Sequence, residues 1–134
     1  MKIQLSNKLR GYWLGDWNNS AIFIHKKVKK LGMEYYLGVL THEAVERKIS
    51  KIYNILECCN KNYNEKKHGE LNKMAHKKAG EVEQIIIESL GLNWEKYIQK
   101  LEKLRMEIYN LPINYYSNPC KCCYKKEKCK NGKR

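Results

Sequence analysis

The sequence predicts an α+β fold: a small N-terminal β-hairpin or sheet packed on about three helices, with an irregular, cysteine-rich C-terminal tail. Three observations carry that prediction. A turn signal, Asn18-Asn19-Ser20, stands directly before the apolar run Ala21-Ile22-Phe23-Ile24. Apolar residues then recur at helical spacing through three later stretches. The two prolines, Pro112 and Pro119, lie late in the chain and leave those stretches unbroken.

The elements follow in order. Two strands are expected near residues 11–17 and 21–28, joined by the asparagine turn. A first long helix is expected over 34–59, with Tyr35, Val39, Val45, Ile49, Ile52, Leu56 and Cys59 at helical spacing. Residues 60–68 are polar and asparagine-rich and read as a loop. A second helix covers 70–90 and ends at Gly91, a C-capping residue. Asn93 then caps a third helix over 94–111, with Trp94, Tyr97, Ile98, Leu101, Leu104, Ile108 and Leu111 as its stripe. Pro112 stops it. The organisation is one domain over 1–112 and a tail over 113–134.

Composition sets the outer limits. The chain has 134 residues, 43% hydrophobic and 31% charged, which suits one globular domain rather than a disordered segment. The N-terminus lacks an apolar run long enough for a signal peptide, and no stretch of about 18 apolar residues occurs. A cytoplasmic protein without a membrane partner is expected. In a reducing compartment its six cysteines suggest metal or packing before disulfides. The formal net charge is +13, and residues 117–134 carry seven basic side chains against Glu127. That balance permits nonspecific nucleic-acid or acidic-surface binding, and equally describes a lysine-rich solvated face.

Two polar residues interrupt the stripe of the first helix. With about 100° per residue, Tyr35, Ile49 and Tyr53 lie within about 20° of His42, and Glu46 about 40° away on the same side. Glu43 stands about 100° round, at the edge of the stripe. On the second helix, Glu83 is about 20° from His76, among Ala79, Gly80, Ile87 and Leu90. Ala79 and Gly80 are small enough to admit another backbone. Met74, Val82 and Ile85 make the opposite side apolar too, which predicts a central helix. Unpaired buried polar groups cost on the order of 2–7 kcal/mol each. A divalent cation held by His42, Glu46 and His76 satisfies these groups; mutual hydrogen-bonded His/Glu pairs are the alternative.

With the strand at 22–24 before it, the segment Leu40-Thr41-His42-Glu43-Ala44-Val45-Glu46, followed by Met74-Ala75-His76, resembles the minimal core of zincin metallopeptidases. The resemblance covers about residues 20–90. It departs from His-Glu-x-x-His at the fifth position, where Glu46 stands in place of histidine. Thermolysin-type zincins take two histidines from the first helix and a glutamate from the second. Here the types are exchanged, and the total remains two imidazoles and one carboxylate. That set suits zinc with an open fourth position and equally suits ferrous iron; the resemblance implies zinc. It also implies a peptide or protein substrate and Glu43 as general base, against the plainer reading of a solvent-facing helix carboxylate. Glu83 is then an acceptor for a ligand imidazole N–H, or a fourth ligand.

The tail offers Cys120, Cys122, Cys123 and Cys129. Four thiolates can hold a structural zinc, although adjacent cysteines are awkward ligands of one ion; the alternative is a solvated basic tail. Glu65 and His68 share a carboxylate–histidine spacing but fall in the polar loop. The leading expectation is a metal-dependent, peptidase-like hydrolase. The alternatives are a basic nucleic-acid-binding protein using the tail, and a catalytically inactive, metal-stabilised binding module.

Overall fold

Three short strands open the chain. The computed structural model describes residues 1–7, 9–57 and 60–111. Strands β1 (Lys2–Ser6), β2 (Gly15–Trp17) and β3 (Ala21–His25) form one sheet in the order β1-β3-β2. The expected hairpin is β2–β3, antiparallel, with Gly15 opposite Ile24 and Trp17 opposite Ile22. Its turn is held by Asn18, whose Oδ1 accepts from the N–H groups of Ser20 at 2.8 Å and Ala21 at 2.9 Å. β1 was not expected; it runs parallel to β3, pairing Ile3 with Ile22 and Leu5 with Ile24. Ile22 and Ile24 are fully buried, each stabilising the fold by about 1.5–3 kcal/mol.

The second strand is shorter than the expected span 21–28. His25 ends it and starts helix α1 (Lys26–Leu31): its Nδ1 accepts from the Lys27 N–H at 3.1 Å, an N-cap bond. Val28 is therefore a buried helical residue. Helix α2 (Met33–Ile52) stops earlier than the recurrence of Leu56 and Cys59 implies. Asn54 takes a left-handed conformation, φ 51°, and the Ile55 N–H returns to the Ser50 carbonyl at 2.9 Å, closing the helix end.

The polar loop winds into a single π-type turn, Glu65–Gly69, before helix α3 (Glu70–Ser89). Gly91, φ 84°, donates to the Glu88 carbonyl and Leu92 to that of Ile87, the two bonds of a Schellman cap. Asn93 Oδ1 accepts from the Lys96 N–H at 3.0 Å and starts helix α4 (Trp94–Tyr109).

α3 packs chiefly along α2. Ala75, Ala79 and Ile87 of α3 are fully buried, as is Tyr97 of α4. α3 is not central as its two apolar sides implied: Val82 and Ile85 are exposed. Gly80 also departs from expectation, since no atom packs where its Cβ would be. Among the described residues no helix is long and apolar enough to cross a membrane. Cys58, Cys59 and the tail residues Cys120, Cys122, Cys123 and Cys129 lie outside the described residues.

Candidate metal centre

Helix geometry sets the first two donors. His42 and Glu46 are four residues apart on α2, on one face of that helix. α2 is tied to the sheet beside them: Arg47 donates from Nε and Nη2 to the carbonyls of Asn18 and Asn19 in the hairpin turn, each at 2.8 Å. α3 brings His76 and Glu83 to the same place, seven residues and two turns apart.

Three donor atoms converge there. His42 Nε2 is 3.4 Å from Glu46 Oε2 and 3.2 Å from His76 Nδ1, and His76 Nδ1 is 3.1 Å from Glu46 Oε2. A tetrahedral ion with bonds near 2.0–2.1 Å holds its donors about 3.3–3.4 Å apart, and an octahedral ion with bonds near 2.1–2.2 Å holds neighbouring donors at about 3.0–3.1 Å. The triangle fits either. His42, Glu46 and His76 can therefore hold a metal ion.

Neighbouring groups orient each donor. His42 Nδ1 donates to Glu83 Oε1 at 2.8 Å, which leaves Nε2 to face the triangle. Glu83 Oε2 accepts from the Tyr97 hydroxyl at 2.5 Å. Glu46 Oε1 accepts from the Trp17 indole N–H at 3.1 Å, leaving Oε2 to point at the two imidazoles. Glu83 thus accepts from the His42 imidazole, as one of its two expected roles requires. Burial differs across the set: the Glu46 side chain is 5% exposed, that of His42 15% and that of His76 66%. The triangle is deep on the α2 side and open on the α3 side.

The charges agree with this arrangement. Burial opposes a charge on His42, but hydrogen bonds to Glu46 and Glu83 and the nearby charges of Glu43 and Glu83 outweigh it. Its pKa in the metal-free chain is raised to about 10. Tyr97 is pushed well above the usual phenol range, by burial first and then by Glu83, so it stays a donor.

Glu43 is not the solvent-facing carboxylate of the plainer reading. It is buried, at 6% exposure, and Gly15 of β2 lies directly against it. A Cβ at Gly15 would stand 2.7 Å from Glu43 Cγ. Glu43 and the three donors line one cavity of about 680 Å³, open to solvent beside His76. Glu65 borders it too, its Oε2 accepting from the Tyr63 hydroxyl at 2.5 Å. His68 is buried nearby in the chain, with Nδ1 accepting from the Asn64 N–H at 2.8 Å, and takes no part in the triangle.

Tyr97, Trp17, Gly38 and Gly15 were not anticipated from the sequence. Gly38 matters because the Tyr97 hydroxyl lies where its Cβ would be. Comparison of the chain with protein-family models, with curated proteins and with solved structures gave no match.

Proposed function

We propose that this chain is a metal-dependent hydrolase acting on peptide bonds, with zinc held by His42, Glu46 and His76 and with Glu43 as general base. The observation that carries the reading is a three-donor triangle sharing a cavity with a buried carboxylate that is outside the triangle. A metal site that serves stability alone is closed by a fourth side chain. Glu83, which the sequence offered for that place, has both its oxygens engaged, one by His42 and one by Tyr97. A zinc ion held by His42, Glu46 and His76 would keep a place for water or substrate.

A bound zinc ion supplies Lewis acidity and brings the pKa of its water near neutrality. The chain's residues do the rest. Glu83 and Tyr97 keep the His42 proton on Nδ1, and Trp17 turns one Glu46 oxygen inward. Glu43, in the cavity wall against Gly15, would accept the proton on its carboxylate. The peptide class is supported by β2. Among the described residues β2 has a strand on one side only, and an extended peptide adds to such an edge.

The test pairs metal content with cleavage of a peptide library, for the wild type, Glu43→Gln and His42→Ala. Glu43→Gln is expected to keep the metal and lose turnover, because glutamine preserves the size but accepts no proton. His42→Ala is expected to lose the metal. A fully loaded wild type that cleaves no peptide overturns the hydrolase reading. Cleavage that survives Glu43→Gln unchanged overturns the role of Glu43.

A further inference from the structure

Residues 26–41, which form α1 and the start of α2, hold Lys26, Lys27, Lys29 and Lys30 against a single carboxylate, Glu34. All four lysines are exposed, while Val28 between them is buried. On α4 the two signs of charge separate by side. With about 100° per residue, Lys96, Lys100 and Lys103 fall within about 60° of one another, with Glu107 further along the same side. Glu95 and Glu102 fall on another side, where Glu102 borders the cavity.

The fold joins the two basic groups. Lys100 Nζ stands 5.4 Å from the centre of the Tyr35 ring, and Lys29 Nζ 5.3 Å from that of Tyr36, the next residue on α2. Tyr35 stacks in turn on the fully buried Tyr97, with ring centres 5.3 Å apart. α1 also touches α4 directly. The lysines of both helices therefore share one face, seated on adjacent tyrosines that are tied to the core. A tyrosine ring attracts an ammonium without neutralising it. Among the described residues Lys29, Lys30, Lys96, Lys100 and Lys103 form no ion pair, so their charge meets solvent uncompensated.

We infer that this face of α1 and α4 binds the phosphate backbone of a nucleic acid. Lysine meets phosphate as a compact point charge. Lys96, Lys100 and Lys103 stand about 5–6 Å apart in a row along the helix, and a polyanion with closely spaced charges can engage them together. Contacts to the backbone fix position and carry no base readout, so the binding is independent of sequence. None of these lysines lines the cavity of the donor triangle, so the inference stands apart from the hydrolase reading.

The experiment titrates the full chain into a fluorescein-labelled DNA duplex of about two helical turns, with anisotropy read between about 50 and 200 mM salt. The triple variant Lys29→Gln, Lys100→Gln, Lys103→Gln is compared with a control that loses the same charge elsewhere, Lys48→Gln, Lys51→Gln, Lys66→Gln. The tail is unchanged in both, so its own contribution cancels. Each phosphate contact contributes about 0.9 to the slope of log affinity against log salt, so the face variant is expected to lose about 2.7 of slope and the control much less. Lys103→Gln alone leaves both ring contacts intact and is expected to lose about 0.9, which keeps the test open if the triple variant folds poorly. No binding by the wild type overturns the inference, as does a slope that the face variants leave unchanged. A control that loses as much slope as the face variant shows that net charge does the binding, and also overturns it. Polyglutamate or phosphatidylserine vesicles bound as tightly as the duplex would assign the face to acidic surfaces in general and overturn the nucleic-acid assignment.

Discussion

Tyr97 of α4 reaches over Gly38 of α2 to donate its hydroxyl to Glu83, which holds His42 with its other oxygen. Three helices therefore meet in one line of hydrogen bonds that ends at a metal donor. Tyr97→Phe is expected to weaken zinc affinity by about 10- to 100-fold, as loss of an outer partner does at other sites. It also leaves a buried carboxylate oxygen short of a donor, at about 1–3 kcal/mol. Competition against a chromogenic chelator and thermal unfolding read the two effects. Unchanged zinc affinity would show that Tyr97 only fills space.

Gly15→Ala tests the placement of Glu43. The new Cβ would stand 2.7 Å from Cγ and 2.9 Å from Cδ of that side chain, and 3.0 Å from Val39 Cγ1. Overpacking of this kind costs about 1–3 kcal/mol. The expected variant is less stable, keeps its metal and has lost turnover, because the carboxylate has been moved. Full turnover in the folded variant would mean that the position of Glu43 is not critical.

Metal uptake should release protons. With the pKa of His42 raised to about 10, the metal-free chain carries a proton on both ring nitrogens at neutral pH, and the Nε2 proton must leave before a metal bond forms. Calorimetric titration with zinc at pH 7.5, in buffers of different ionisation heat, is expected to show at least one proton released per ion. The same shift sets the stability of the metal-free chain. A raised pKa contributes stability that is whole below about pH 6.5 and is lost as pH rises through about 10. Metal-free protein that is no less stable at pH 10 than at pH 6.5 would contradict the pairing of His42 with Glu46 and Glu83.

His25 predicts the opposite dependence. Burial lowers its pKa, with help from the charges of Lys27 and Lys26 and against a backbone hydrogen bond at Asn7. The unfolded chain then takes the proton first. Stability from this residue is whole above about pH 6.5 and falls as pH drops from there through the lowered folded value. Protonation also removes the acceptor that caps α1. His25→Asn keeps a cap acceptor without titrating, so its urea midpoint is expected to change less between pH 7 and 5 than that of the wild type. Parallel curves for the two proteins would remove His25 as the cause.

What could be read in advance follows from which signals are local. His42, Glu46 and Glu83 were legible because they place polar groups on buried, apolar helix faces, which periodicity exposes; His76 shares the phase of Glu83 but stands exposed at the rim. Tyr97 and Trp17 gave no such signal. Tyr97 sits in the stripe of α4 among Ile98, Leu101 and Leu104, where a tyrosine reads as core, and its partner lies on another helix. β1 escaped because it is short and solvent-exposed and pairs with β3 across about twenty residues. The end of α2 was misplaced because Leu56 and Cys59 continue its spacing, which outweighed Asn54, a residue suited to the left-handed backbone that ends the helix.

The uneven burial of the donors has a kinetic consequence. Glu46 and His42 wait at the bottom of the site, fixed by Trp17 and Glu83, while His76 stands at the rim with two thirds of its side chain in solvent. An ion held by this triangle would have two donors fixed in the wall and one, His76, free to swing out into solvent first on departure. Glu46 and His76, thirty residues apart, already lie in contact across the packed α2–α3 pair, so loss of the rim donor would leave the α2 pair in place. The rim histidine would then act as a latch: His76→Ala is expected to raise the metal release rate more than it slows capture.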